Sequence, residues 1–110
     1  MKETRLGDFE EVLLLLTGIL GKDAYAVRIA EEFESQTGRS VSIGAVHSTL
    51  SRLEGKGFLT SEMGSPSAVR GGRRKRIYSI TAYGHKALEI SRELKLSLWK
   101  QYPAFARVGV

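Results

Sequence analysis

Apolar positions recur along this chain at helical spacing in four blocks, with one stretch of strand-like alternation between the third and the fourth. In the first block Phe9, Val12, Leu13, Leu14, Leu15, Leu16, Ile19 and Leu20 surround nearly the whole circumference of a helix, so one core cannot cover every face. Asp8 followed by Glu11 predicts its start and Gly21 its end. Asp23 then caps a second helix to about Thr37, with Ala26, Ile29, Ala30 and Phe33 on one stripe, Glu31, Glu32 and Glu34 outside it, and Gly38 as the stop. Ser42 is a good N-cap for a third helix that runs to about Lys56, before Gly57. There Ile43, Val46, Leu50 and Leu53 form one narrow apolar stripe. Gly44, Ala45, Ser48, Ser51 and Arg52 point within roughly 60° of the opposite direction, and His47 lies on the flank.

The pattern then changes period. Leu59 to Met63 reads as a short strand, Gly64 to Arg74 as a loop containing Pro66 and two glycines, and Lys75 to Ile80 as a returning strand. Thr81 caps a final helix through at least Trp99, with Ala87, Ile90, Leu94 and Leu98 on one side and Leu88 and Trp99 towards another; Pro103 ends it. The predicted fold is mainly α with a small β-hairpin: three helices, a two-stranded wing and a C-terminal helix, which is the order of a winged helix-turn-helix. Residues 1–110 form one domain, divided into a winged-helix core over 8–80 and a dimerisation helix over 81–102. A chain of 110 residues, 42% apolar and 26% charged, suits one core.

Charge sharpens the picture. Arg70, Arg73, Arg74, Lys75 and Arg76 fall within seven consecutive residues; taking them from the 17 Lys and Arg leaves 12, which matches the 12 Asp and Glu. The whole formal charge of +5 therefore sits at the hairpin, and no acidic residue occurs between Glu62 and Glu89. A local field of one sign on an otherwise balanced chain points to a polyanion, nucleic acid before an anionic membrane surface. The longest oily segment, Val12 to Leu20, is broken by Thr17 and Gly18 and falls far short of the ~20 residues that span a bilayer. No membrane partner is expected. The N-terminus mixes Lys2, Glu3, Arg5 and Asp8 without an apolar stretch of signal-peptide form, which makes a cytoplasmic location the default. The absence of cysteine excludes disulfides, thiolate zinc sites and cysteine nucleophiles, and His47 and His85 stand in no metal-ligand spacing and beside no nucleophile motif. Gly71-Gly72 opens no P-loop. No enzyme activity, metal or cofactor is expected.

A helix enters the DNA major groove, about 12 Å wide, only if its outward face is slim and polar. The third helix has such a face. Ser42, Gly44 and Ala45 stand at its N-terminus, where backbone N–H groups approach phosphates, while His47, Ser48, Ser51 and Arg52 follow towards base edges. By itself this face equally fits an ordinary solvated helix. The basic hairpin behind it tips the balance, because a wing over 64–76 would lay Arg70, Arg73, Arg74, Lys75 and Arg76 on phosphates and release counterions. A single winged helix has a small footprint, and two modules reading half-sites about one DNA turn apart overcome this, so a homodimer on a palindromic double-stranded operator is expected. Its predicted interface joins Phe9, Leu13 and Leu16 of the over-oily first helix to Leu88, Ile90, Leu94, Leu98 and Trp99 of the last. The rival from another class is a winged helix that binds protein or RNA without operator specificity.

The chain resembles the PadR-like transcriptional regulators. The resemblance is carried by Leu6-Gly7-Asp8-Phe9-Glu10, Asp23-Ala24-Tyr25-Ala26-Val27, Val41-Ser42-Ile43-Gly44-Ala45-Val46-His47-Ser48-Thr49-Leu50, Arg52-Leu53-Glu54-Gly55-Lys56-Gly57, and the run from Gly71 to Gly84. These segments stand in family order and spacing from about residue 6 to 95. The resemblance implies a homodimeric winged-helix repressor of the compact subfamily, with one closing helix. His47 stands where the family often has tyrosine, which leaves operator preference open, and Ala26 where glycine is common. Some compact members hold flat apolar compounds between tryptophans of the two final helices, and Trp99 falls near that region; the resemblance thus implies a small apolar or aromatic effector at Phe9, Leu13, Leu98 and Trp99. The plainer role for Trp99 is an interface anchor.

Overall fold

The structure, a computed structural model, describes residues 5–64 and 74–103. Helix α1 spans Asp8–Leu20, α2 Ala26–Thr37, α3 Ile43–Gly55 and α4 Ala82–Gln101, and strands β1 Leu59–Met63 and β2 Arg76–Ile80 lie between the last two helices. The predicted fold class holds: four helices and one antiparallel hairpin, in winged-helix order.

Helix α1 has the predicted length but not the predicted cap. Gly7 occupies the N-cap and its N–H donates to the Glu10 carboxylate at 2.8 Å, one residue earlier than the Asp8/Glu11 pair. The second helix also starts later than expected. Gly21–Asp23 forms a 3-10 turn, and Tyr25 rather than Asp23 is the N-cap of α2. The delay has a tertiary cause: Ala24 is fully buried and its carbonyl accepts the N–H of Tyr78 at 2.9 Å, which ties this segment to β2 and keeps it out of the helix. Gly38 ends α2 in the left-handed conformation at φ 77°. Ser42 caps α3 as predicted, its Oγ accepting from Ala45 N–H at 3.1 Å, and Gly57 turns the chain at φ 86°.

The core lies between α1, α2 and α3 and is closed by the hairpin. Leu13, Leu14, Ile29, Val46, Leu50, Leu53 and Phe58 are fully buried there. This corrects the assignment of Leu13 and Leu16 to a subunit interface, since they are 0% and 4% exposed inside one protomer. The faces of α1 left to solvent are those of Leu15 and Ile19. In the hairpin Leu59 stands opposite Ile80 and Met63 opposite Arg76; β2 begins at Arg76, one residue after the predicted start.

Helix α4 leaves the core early. Thr81 caps it, with Oγ1 accepting from Gly84 N–H at 3.0 Å, and Gly84 and Ala87 are its buried residues. From Arg92 to Pro103 every residue is exposed. Gly84 makes the crossing possible, because a Cβ there would stand 2.3 Å from the Phe58 carbonyl oxygen and 2.9 Å from the Ile80 side chain. Gly84→Ala is therefore expected to cost roughly 2–3 kcal/mol and lower Tm by on the order of 10 °C. Thermal unfolding followed by circular dichroism checks this; an unchanged Tm would mean that α4 packs less closely on the hairpin.

Candidate nucleic-acid interface

The recognition face predicted for α3 is at the surface. Ser42, Gly44, His47, Ser48, Ser51 and Arg52 are exposed and Ala45 is half-buried, while Val46, Leu50 and Leu53 turn inward. A Cβ added at Gly44 would meet nothing within 4 Å, so glycine there is not demanded by the protein's own packing. Space beside the helix is what a second molecule would need.

Of the predicted wing cations, Arg74, Lys75 and Arg76 are described and exposed, whereas Arg70 and Arg73 lie outside the described residues. The hairpin brings the three beside the recognition helix. Together with His47, Ser51, Tyr25 and Glu54 they line a cleft of about 630 Å³ between the start of α2, α3 and β2. Each has a local anchor. Arg74 Nε donates to the Gly64 carbonyl at 3.0 Å, Lys75 Nζ stands 4.3 Å from the centre of the Tyr25 ring, and an Arg76 NH donates to Ser61 Oγ at 3.1 Å. Ser61 in turn donates to Glu54 of α3 at 2.9 Å, linking wing to helix. These anchors hold the cations at the rim without burying them, which suits contact with phosphates. Nothing in the sequence pattern marks Tyr25, Glu54 or Ser61 as site residues; the aromatic residue just before an apolar helix stripe is the one hint of the first.

Arg52 stands apart from this cleft. Its Nε donates to Glu10 Oε2 at 2.8 Å, and Lys56 Nζ reaches both carboxylate oxygens at 3.0 and 3.1 Å. Burial pushes the Glu10 carboxyl up, but the Gly7 N–H, Arg52 and Lys56 together outweigh it and hold the group below the usual carboxylate range. Glu10 is thus a buried anion on α1 gripping Arg52 of α3 and Lys56 at that helix's C-cap. Its signal in the sequence is an acid on the same face as Leu13, Leu14 and Thr17, where apolar residues are expected.

The predicted interface and effector residues are only partly brought together. Ile90, Leu94, Leu98 and Trp99 of α4 are 46%, 59%, 54% and 55% exposed. Leu88 is half-buried, and with Trp99 it lines a groove of about 710 Å³ whose α1 wall is Leu15 and Ile19. Phe9 is elsewhere, packed edge-on against Phe33 with ring centres 5.4 Å apart. Phe9 and Leu13 therefore do not line a site with Leu98 and Trp99, because one is engaged by α2 and the other is sealed in the core. Trp99 instead meets Tyr102, with centres 5.8 Å apart. No set of three or more acids and histidines among the described residues is placed to hold a metal, and no helix among them is long and apolar enough to cross a membrane.

The family model of the PadR-like transcriptional regulators matches residues 13–90. The comparison with curated proteins found no match. Among solved structures, the chain is similar to hsRosR-S4 in its complex structure, at 27% identity over 86% of this chain and 75% of that one, with a TM-score of 0.63. It is similar in fold to a PadR family transcription regulator from Clostridium difficile, at 24% identity over 86% of this chain and 97% of the other, with a TM-score of 0.64. Bacillus subtilis PadR in complex with operator DNA shares the fold at 21% identity and a TM-score of 0.59, over 74% of this chain and 45% of that protein.

Proposed function

The chain belongs to the PadR-like family of transcriptional regulators, and on that premise we propose that it is a homodimeric transcriptional repressor that binds double-stranded DNA sequence-specifically. The observation that carries this is the juxtaposition of an exposed, slim polar face on α3 with Arg74, Lys75 and Arg76 at one cleft. A face of serines can approach base edges, and cations on the adjacent strand can fix the helix against the backbone, which divides the work between specificity and affinity. Bacillus subtilis PadR, which shares the fold, is seen with operator DNA, and this supports the same partner here.

In this account α3 lies in the major groove, with Ser48, Ser51 and His47 directed at bases and Ser42, Gly44 and Ala45 at the near phosphates. Arg70 and Arg73 extend the wing's basic run beyond the described residues. Residues 8–80 act as the DNA-binding core and 81–102 as the helix that joins two copies. The exposed stripe of Leu94, Leu98 and Trp99 supports that joining role, and Leu15 and Ile19 replace Leu13 and Leu16 as the contribution of α1. The groove between α1 and α4 suits release by a flat apolar effector, with Trp99 and Leu88 as its walls.

Selection from a pool of random duplexes tests the assignment. Two-fold-related half-sites are expected, and Ser48→Ala should relax the selected sequence by about fivefold at one position per half-site while leaving general affinity nearly unchanged. A pool that stays random would favour a sequence-blind module that binds RNA or acidic protein.

A further inference from the structure

We propose that Glu10 is a positioning residue for DNA binding, which withholds Arg52 and Lys56 from phosphate and thereby confines the ionic contacts to the wing. This rests on the DNA-binding function above. Arg52 lies one helical turn after Ser48 on the exposed face of α3, and Lys56 is the C-cap residue just past the helix end, so the two are cations close to the recognition face that would ordinarily be drawn to phosphates. Instead both are turned to a single carboxylate that is 6% exposed. Its oxygens are fully engaged: Oε1 with the Gly7 N–H and Lys56, Oε2 with Arg52 and Lys56. Arg52 is steadied further by a contact from its terminal nitrogen to Thr49 Oγ1 at 3.4 Å. Releasing either cation to DNA would leave a buried anion short of partners, and that cost keeps the pair in place.

The grip has two consequences. It pins the C-terminal end of α3 to α1 through Arg52 in its last turn and Lys56 at its C-cap, which sets the angle at which the serine face is presented. It also removes two charges from the sequence-blind part of binding, so that discrimination between sequences is not diluted by extra phosphate contacts.

The test measures affinity against salt for a generic mixed-sequence duplex. Glu10→Gln keeps an oxygen for the Gly7 N–H, as capping boxes with glutamine do, but drops the charge. Its slope of log affinity against log salt is expected to steepen by about 0.9 for each cation freed, with tighter general binding at low salt. Lys56→Gln should leave the wild-type slope unaltered and remove part of the increment in the Glu10→Gln background. A folded Glu10→Gln protein with the wild-type slope would overturn the proposal, reducing Glu10 to a helix cap. So would a Lys56→Gln single variant whose slope falls by about 0.9, an arm that decides the matter even if Glu10→Gln does not fold. A wild-type chain whose affinity ignores salt would bring down the DNA-binding function itself and this proposal with it; a steep wild-type slope with either failure above overturns the role of Glu10 alone.

Discussion

Replacing Arg74, Lys75 and Arg76 together by glutamine is expected to weaken binding to every duplex on the order of a hundredfold near 0.1 M salt, and to flatten the salt dependence by about 0.9 for each phosphate that is no longer neutralised. The three are exposed, and among the described residues their side chains are anchored at Gly64, Tyr25 and Ser61 on the surface, so their replacement should not unfold the core. Sequence preference should survive, because the serine face of α3 is untouched. Titration of a specific and an unrelated duplex at several salt concentrations checks this. A variant that keeps the wild-type slope would mean that the wing does not lie on phosphate.

Leu94→Asp is expected to yield a folded monomer in sedimentation and to lower operator affinity by more than a hundredfold. Leu94 is 59% exposed in one protomer and contributes nothing to its core, so a charge there costs little until a second copy covers it. Two linked half-site modules gain roughly 10²–10⁴ in avidity over one, and that gain disappears with the dimer. A dimer that survives the substitution would place the subunit contact on another surface, with the Leu15 and Ile19 face of α1 the next to test.

Much of the architecture was legible because local signals and tertiary needs agree. Ser42, Gly38, Gly57 and Thr81 act at the ends of elements as their chemistry requires, and β1 runs over the expected residues. Disagreement arises where a distant partner decides. The sequence pairs Asp8 with Glu11 at the start of α1, whereas the pair that forms is Gly7 with Glu10, whose carboxylate is held by Arg52 and Lys56, 42 and 46 residues away. Helix α1 is apolar all round, so its periodicity could not say which leucines face α2 and α3; the packing of those helices takes Leu13 and Leu16 and leaves Leu15 and Ile19 outside. The start of α2 was missed for a similar reason, since the Ala24 carbonyl is claimed by β2. At the candidate site the exposed serines of α3 were evident from spacing alone, and their neighbourhood was not. Tyr25 and Glu54 join the cleft only because the hairpin folds back over α3. Arg52 looked like a base-reading residue until its carboxylate partner on another helix was visible.

Footprinting the purified protein on genomic DNA fragments tests the central claim most directly. The account predicts a protected site made of two related halves about one helical turn apart, with protection lost when Ser48 and Ser51 are both replaced by bulky residues. Uniform protection of all fragments, unchanged by those replacements, would contradict it.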